Sequence, residues 1–193
     1  MIFNLTMNKQ KIGWRYFLIC AVVFSFSIVG GWLTTADLGS IKTALNNAIP
    51  FAGQLQYLSP AAIFLLIFIN NILKSFFVIL LGMFLGFLPL YSLYVNGYLI
   101  GILGSYLGRA ISLKLFLASV VPHGVIEIIA LIMASSYGLW LGVKLIRRII
   151  YKEPFGPNLK YALAVYLRRV VPLLLFAAII EAFFTPLVIS WVK

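Results

Sequence analysis

His123 and Glu127 carry the first chemistry that the sequence offers. They stand in the stretch VVPHGVIEIIA, residues 120–130, which is otherwise almost wholly apolar. His123 is the only histidine of the chain and Glu127 is one of four acidic residues. A spacing of four puts both side chains on one face of a helix. Pro122 before them suits the first position of that helix, where its missing N–H costs nothing. Glu127 then lies about one turn deeper than His123. A third ionisable group, Glu181, sits near the centre of another apolar run. An ionised carboxylate alone at membrane depth is costly, so such residues turn toward the bundle interior, a partner or a wet cavity. Two readings follow. His123, Glu127 and Glu181 form a polar centre that binds an ion or relays protons, or they form a hydrogen-bonded pair and its neighbour that hold helices in register. Asn70 and Asn71 add amide groups to the same inventory. Being adjacent, they cannot share one helical face, so at least one is expected to bond across to another helix or to headgroups.

Other chemistry is poorly supplied. His-x-x-x-Glu gives two metal ligands where a structural zinc takes four, and no second histidine exists, so no metal site and no cofactor is expected. There is no Gly-x-Ser-x-Gly, no Ser-His-Asp order and no phosphate-binding loop. The chain reads as non-enzymatic. Cys20 cannot form an intramolecular disulfide and reads as a small buried side chain.

The elements that position these residues follow from composition. Of 193 residues, 63% are hydrophobic and only 10% charged, and the mean hydropathy is +1.09. That polar content is too small to cover a water-soluble globule, in which about a quarter of residues are charged. Apolar runs of roughly 20 residues recur, the length that crosses a bilayer as a helix. The expectation is a single all-α domain over residues 1–193, a polytopic transmembrane bundle of about five spans plus short interfacial helices, in the cell membrane.

Along the chain, the spacing predicts span one over 13–34, retained and not cleaved as a signal. A near-neutral loop is expected over 35–59. Asn70, Asn71 and Lys74 are expected to divide 60–95 into an interfacial helix, 60–72, and span two, 74–94, kinked at Pro89. Asn96-Gly97 reads as a turn opening span three, 97–111. Span four starts at Pro122 or slightly before and runs to about 141, a basic loop follows over 144–169, and span five covers 169–191. The net charge of +11 has its bases before span one and in the last loop. Basic flanks mark the cytoplasmic side, so the N-terminus is expected inside and the C-terminus outside. Arg109 and Lys114 fall on the outer side against that trend. The charge is thereby read as membrane topology, with no nucleic-acid partner. Trp14, Tyr16, Trp32, Tyr91, Tyr94, Tyr98, Trp140, Tyr151 and Trp191 lie near span ends and read as an aromatic belt.

Gly97, Gly101, Gly104 and Gly108 follow a 4, 3, 4 spacing along one helical face, and Gly82 and Gly86 form a further small-xxx-small pair. Gly138 and Gly142 form another. Small residues let membrane helices approach closely. The stripe therefore predicts tight packing, on a helix of the same chain, on other membrane proteins or on a second copy.

The order FINNILKSFF, LGMFLG, LYVNGYLIG, VVPHGVIEIIALIMASSYGLWLG resembles the stage II sporulation protein M family of polytopic membrane proteins. Asn70, Asn71, Asn96, Gly97, Pro122, His123, Gly124, Glu127 and the Gly138-Leu-Trp-Leu-Gly142 close carry the likeness, over residues 60–145. The resemblance implies a multi-span component, or scaffold, of a cell-envelope protein complex whose hydrolytic chemistry belongs to its partners. The alternative from the residues themselves is a small transporter or permease-like subunit, with its ion or proton site at His123, Glu127 and Glu181.

Overall fold

The computed structural model describes residues 12–34, 58–84 and 86–192. Among them the chain is a bundle of helices: α1 (Trp14–Leu33), α2 (Pro60–Leu81), α3 (Phe87–Leu107), α4 (Leu113–Tyr151), α5 (Gly156–Val165), α6 (Val171–Ile179) and α7 (Thr185–Val192). Three π-helical turns join the later pieces, at Gly108–Ser112, Tyr166–Val170 and Ile180–Phe184. The last three helices and their two π-turns run on as one rod. Five stretches are thus long and apolar enough to cross a membrane. The loop expected over 35–59 lies almost wholly outside the described residues.

Several boundaries differ from the sequence expectation, each for a physical reason. Residues 60–72 are not a separate interfacial helix. They open a 22-residue helix that starts with Ser59 as cap, its hydroxyl accepting from the Ala62 N–H, and with Pro60 in the first turn. Asn70, Asn71 and Lys74 sit inside α2 without breaking it, because amide and ammonium groups leave the backbone ladder intact. Ser75 even returns its hydroxyl to the Asn71 carbonyl at 2.7 Å. The break comes at 82–86, where Gly86 has φ +73°, a conformation that favours glycine. Pro89 falls in the first turn of α3, where its missing donor is harmless, so it is no mid-span kink. Asn96-Gly97 is not a turn. Asn96 donates its amide to the Ser92 carbonyl at 2.7 Å, and Gly97 is buried in helical packing. Pro122 does not open a helix either; it lies inside the 39-residue α4. The basic segment is mostly helical, and only Lys152–Phe155 leave the helix, with Lys152 at φ 57°. Arg147 and Glu153 pair across that corner at 3.0 Å. At about 1.5 Å per residue α4 is about 58 Å long, nearly twice the hydrocarbon thickness of a bilayer.

The glycines explain how the bundle closes. A Cβ on Gly97 would stand 2.7 Å from the Phe24 carbonyl, and one on Gly101 would overlap the Ile28 carbonyl. One on Gly31 would overlap the Tyr98 carbonyl. Contacts therefore ascend together along both chains, and α1 lies parallel to α3 with backbones touching. Gly82, Gly138 and Gly142 do the same for α2 and α4, where a Cβ on Gly142 would come within 2.6 Å of the Gly82 carbonyl. Gly104 faces only ring edges of Phe116 and Trp32, and Gly108 makes ordinary contact with Leu113. Gly86, for its part, faces the Leu139 side chain. Gly97 and Gly101 of the stripe thus pack on a helix of the same chain.

An aromatic core binds the basic ends together. Trp140 is 3% exposed and meets the rings of Tyr137 and Tyr161 edge-on, with centroids about 6 Å apart. Trp140 and Tyr16 are therefore core residues and not part of an aromatic belt, whereas Trp14, Trp32 and Trp191 are exposed. Tyr166 donates its hydroxyl to the Ile72 carbonyl at 2.7 Å, tying α2 to the last rod.

Alternation of the five rods makes α1 and α3 run one way and α2 and α4 the other. With the basic ends inside, a cysteine at Lys152, which is exposed, should resist an impermeant thiol reagent in intact cells, while one at Asn46 should react. Cys20 is buried and silent. Labelling at 152 with none at 46 would reverse the orientation.

Candidate functional site

Three elements converge near the non-basic end of the bundle. His123 lies ten residues into α4, about 15 Å along its axis, and Glu127 one turn further on the same face. The π-turn Ile180–Phe184 brings in Glu181, and α7 opens with Thr185. One ligand atom from each of His123, Glu127 and Glu181 lies within 4.8 Å of the others. The closest ionisable approach is His123 Nε2 to Glu181 Oε2 at 3.9 Å. The His123 side chain is 13% exposed and that of Glu181 32%, so the cluster is partly open to the outside of the bundle.

α2 completes the surround. It packs against both α4 and the Ile180–Phe184 π-turn, with half-buried Asn71 and exposed Lys74 on the side of Glu127. Asn70 is exposed and reaches Asn71 only at 3.5 Å, the outer limit of a hydrogen bond. Of the five polar residues singled out from the sequence, four face one another and Asn70 stands at the rim. Lys74 and Thr185 were not among them. Thr185 had a signal, since it follows Glu181 by four residues as Glu127 follows His123.

The π-turn has a local cause. Pro186 lacks an N–H and its ring crowds the carbonyl four residues back. A widened turn just before it relieves that crowding, and the same pairing occurs at Tyr166–Val170 before Pro172. Within the wide turn Thr185 Oγ1 donates to the Ile180 carbonyl, five residues back, at 3.2 Å. Its oxygen is then left to accept, and His123 Nδ1 lies 3.2 Å away. In a neutral imidazole one nitrogen donates and the other accepts. With the Thr185 hydrogen engaged in this way, the imidazole hydrogen is assigned to Nδ1, and Nε2 then presents a lone pair to Glu181. Two acceptors face each other at 3.9 Å, with a second carboxylate beside them. Such a centre calls for a proton or a cation between its members.

A separate cavity of about 330 Å³ lies at the far ends of α1 and α3, lined by Trp32, Thr34, Ser105 and Arg109 among others. Arg109 is anchored there by the Ser105 carbonyl and hydroxyl, at 2.9 and 2.6 Å. The cavity shares no lining residue with the polar centre.

A family model described as stage II sporulation protein M matches residues 20–186, which include every residue of the polar centre. The chain is also similar to an uncharacterized protein of Methanocaldococcus jannaschii, 27% identical over 180 residues, covering 90% of this chain and 96% of that one. No solved structure matches.

Proposed function

We propose, from the premise that this chain belongs to the stage II sporulation protein M family, that it works as a non-enzymatic subunit of a membrane protein complex. The observation that carries this reading is a polar seam on the outer surface of an apolar bundle. Asn70 and Lys74 are exposed on one face of α2, about 15 and 21 Å along its axis from Pro60. Glu181 opens toward the same region. Charged and amide groups at that depth are unfavourable against lipid tails. A partner's transmembrane helix, offering its own polar groups, removes that penalty and binds in the same step. The scarcity of nucleophiles and of general bases agrees with a subunit that leaves chemistry to others.

A photoreactive residue in place of Asn70 tests the reading. Illumination of native membranes should yield a discrete adduct of the chain with a second protein, absent when the probe stands at the exposed Leu18 of α1. Adducts with lipid alone would refute it.

The convergence of His123, Glu127 and Glu181 favours a second reading, a transport subunit with an ion or proton site. Under that reading Glu127→Gln should abolish pH-dependent ion flux in proteoliposomes while the melting profile is kept. Folded wild-type protein that shows no flux between pH 5 and 8 would leave the subunit role alone.

A further inference from the structure

We propose that His123, Glu127 and Glu181 form an intramembrane binding site for one divalent first-row metal ion of the zinc type, with Thr185 as the positioning residue. The inference does not depend on the subunit reading, because such an ion can hold the bundle together whether or not a partner is present.

Three features of the centre point to a metal. The first is the tautomer that the Thr185 contact favours. A metal-bound imidazole nearly always gives its other N–H to a neighbouring acceptor, which orients the ring and strengthens the ligating nitrogen. Thr185 Oγ1 does this for His123 Nδ1, and its own hydrogen is held by the Ile180 carbonyl. The second is spacing. Nε2 and Glu181 Oε2 are 3.9 Å apart, about half an ångström wider than two tetrahedral ligands bonded at about 2.0–2.1 Å, a gap that a small side-chain rotation closes. Glu127 lies on the adjacent turn of α4, and a rotation about its own side-chain bonds brings it the remaining distance. The third is charge and donor type. Two carboxylates balance a divalent ion, and an imidazole nitrogen selects a transition metal over magnesium or calcium. Three protein ligands leave a coordination position open toward the exposed side of Glu181.

Lys74 gives the idea its sharpest sign. Its ammonium is a positive charge on the side of Glu127, where it competes with any bound cation. It stands on the exposed face of α2, on a side chain long enough to swing away toward the membrane surface.

The test uses the full chain in detergent, stripped with a chelator and titrated with Co²⁺ and then Zn²⁺. The expected result is one ion per chain, visible Co²⁺ absorption bands of nitrogen and oxygen coordination, and their loss on adding Zn²⁺. His123→Gln and Glu181→Gln should each weaken binding at least about tenfold, and Thr185→Val about tenfold with recovery in Thr185→Ser. Lys74→Met should tighten binding several-fold, which loss of a merely structural ion pair would not do. Folded wild-type protein without Co²⁺ bands would overturn the proposal, and so would binding unchanged in both His123→Gln and Glu181→Gln. These results are separate from the Asn70 adduct, so either reading can fail alone.

Discussion

Gly101→Leu is expected to prevent the bundle from assembling, while Gly30→Leu leaves it nearly unchanged. Both glycines lie in apolar spans, but their surroundings are opposite. A Cβ at Gly101 overlaps the Ile28 carbonyl and comes within 2.7 Å of the Trp32 backbone nitrogen, so the obstacle is the backbone of α1 itself. Neither helix can yield without separating along its length. A Cβ at Gly30 meets nothing within 4 Å. Overpacking a membrane interface of this kind should exceed about 3 kcal/mol, the upper end for added core methylenes, because no rotamer change relieves it. Gly104→Leu should be milder than Gly101→Leu, since ring edges of Phe116 and Trp32 can move. Leu103→Ala should be mildest of the three. The measure is the yield of monodisperse protein in detergent and its thermal midpoint. Equal yields and midpoints for Gly101→Leu and Gly30→Leu would remove close α1–α3 contact as the basis of the fold.

Trp140→Ala should lower stability by about 3–5 kcal/mol, the usual range for emptying a buried aromatic site. Trp140 is the centre of a nest in which Tyr137 and Tyr161 present their rings to it at steep angles. The Lys144 ammonium lies 5.8 Å from its ring. Removing the indole leaves a hole between α4 and α5 that the flanking tyrosines cannot fill, because Tyr166 and its bond to Ile72 hold the next turn in place. Loss should appear first as protease cleavage at 152–155, the corner between those helices, together with a lower melting midpoint. Trp191→Ala is the control, since Trp191 is 84% exposed. A melting midpoint for Trp140→Ala no lower than that of Trp191→Ala would return Trp140 to the membrane interface.

The contrast between Trp140 and Trp191 shows where one-dimensional reading ends. Both stand near the ends of hydrophobic runs, and sequence position treats them alike. Only the fold shows that α4 continues to Tyr151 and that its aromatic residues meet those of α5. The same limit applies to Asn96-Gly97. The dipeptide is common in turns, but here Ser92 takes up the asparagine amide and α1 presses on the glycine, so the helix passes through.

What the sequence determined by itself was the class of the molecule and its chemical inventory. Hydropathy over runs of about 20 residues specifies membrane-crossing helices, because an unpaired backbone cannot exist in lipid and that constraint acts locally. The spacing of His123 and Glu127 put them on one face whether their helix began at Pro122 or nine residues earlier, at Leu113. The glycine spacing marked a face able to approach a neighbour. Tertiary structure alone decided which neighbour, since Gly97 and Gly101 met α1 across about 70 residues of chain. It also decided the composition of the polar centre. Glu181 reached His123 because a π-turn before Pro186 set its direction, and Thr185 locked the imidazole because that turn placed the Ile180 carbonyl within its reach. Hydropathy and helical periodicity are properties of one segment. Convergence of side chains from α2, α4 and the last rod depends on how segments pack, and no single segment carries that information.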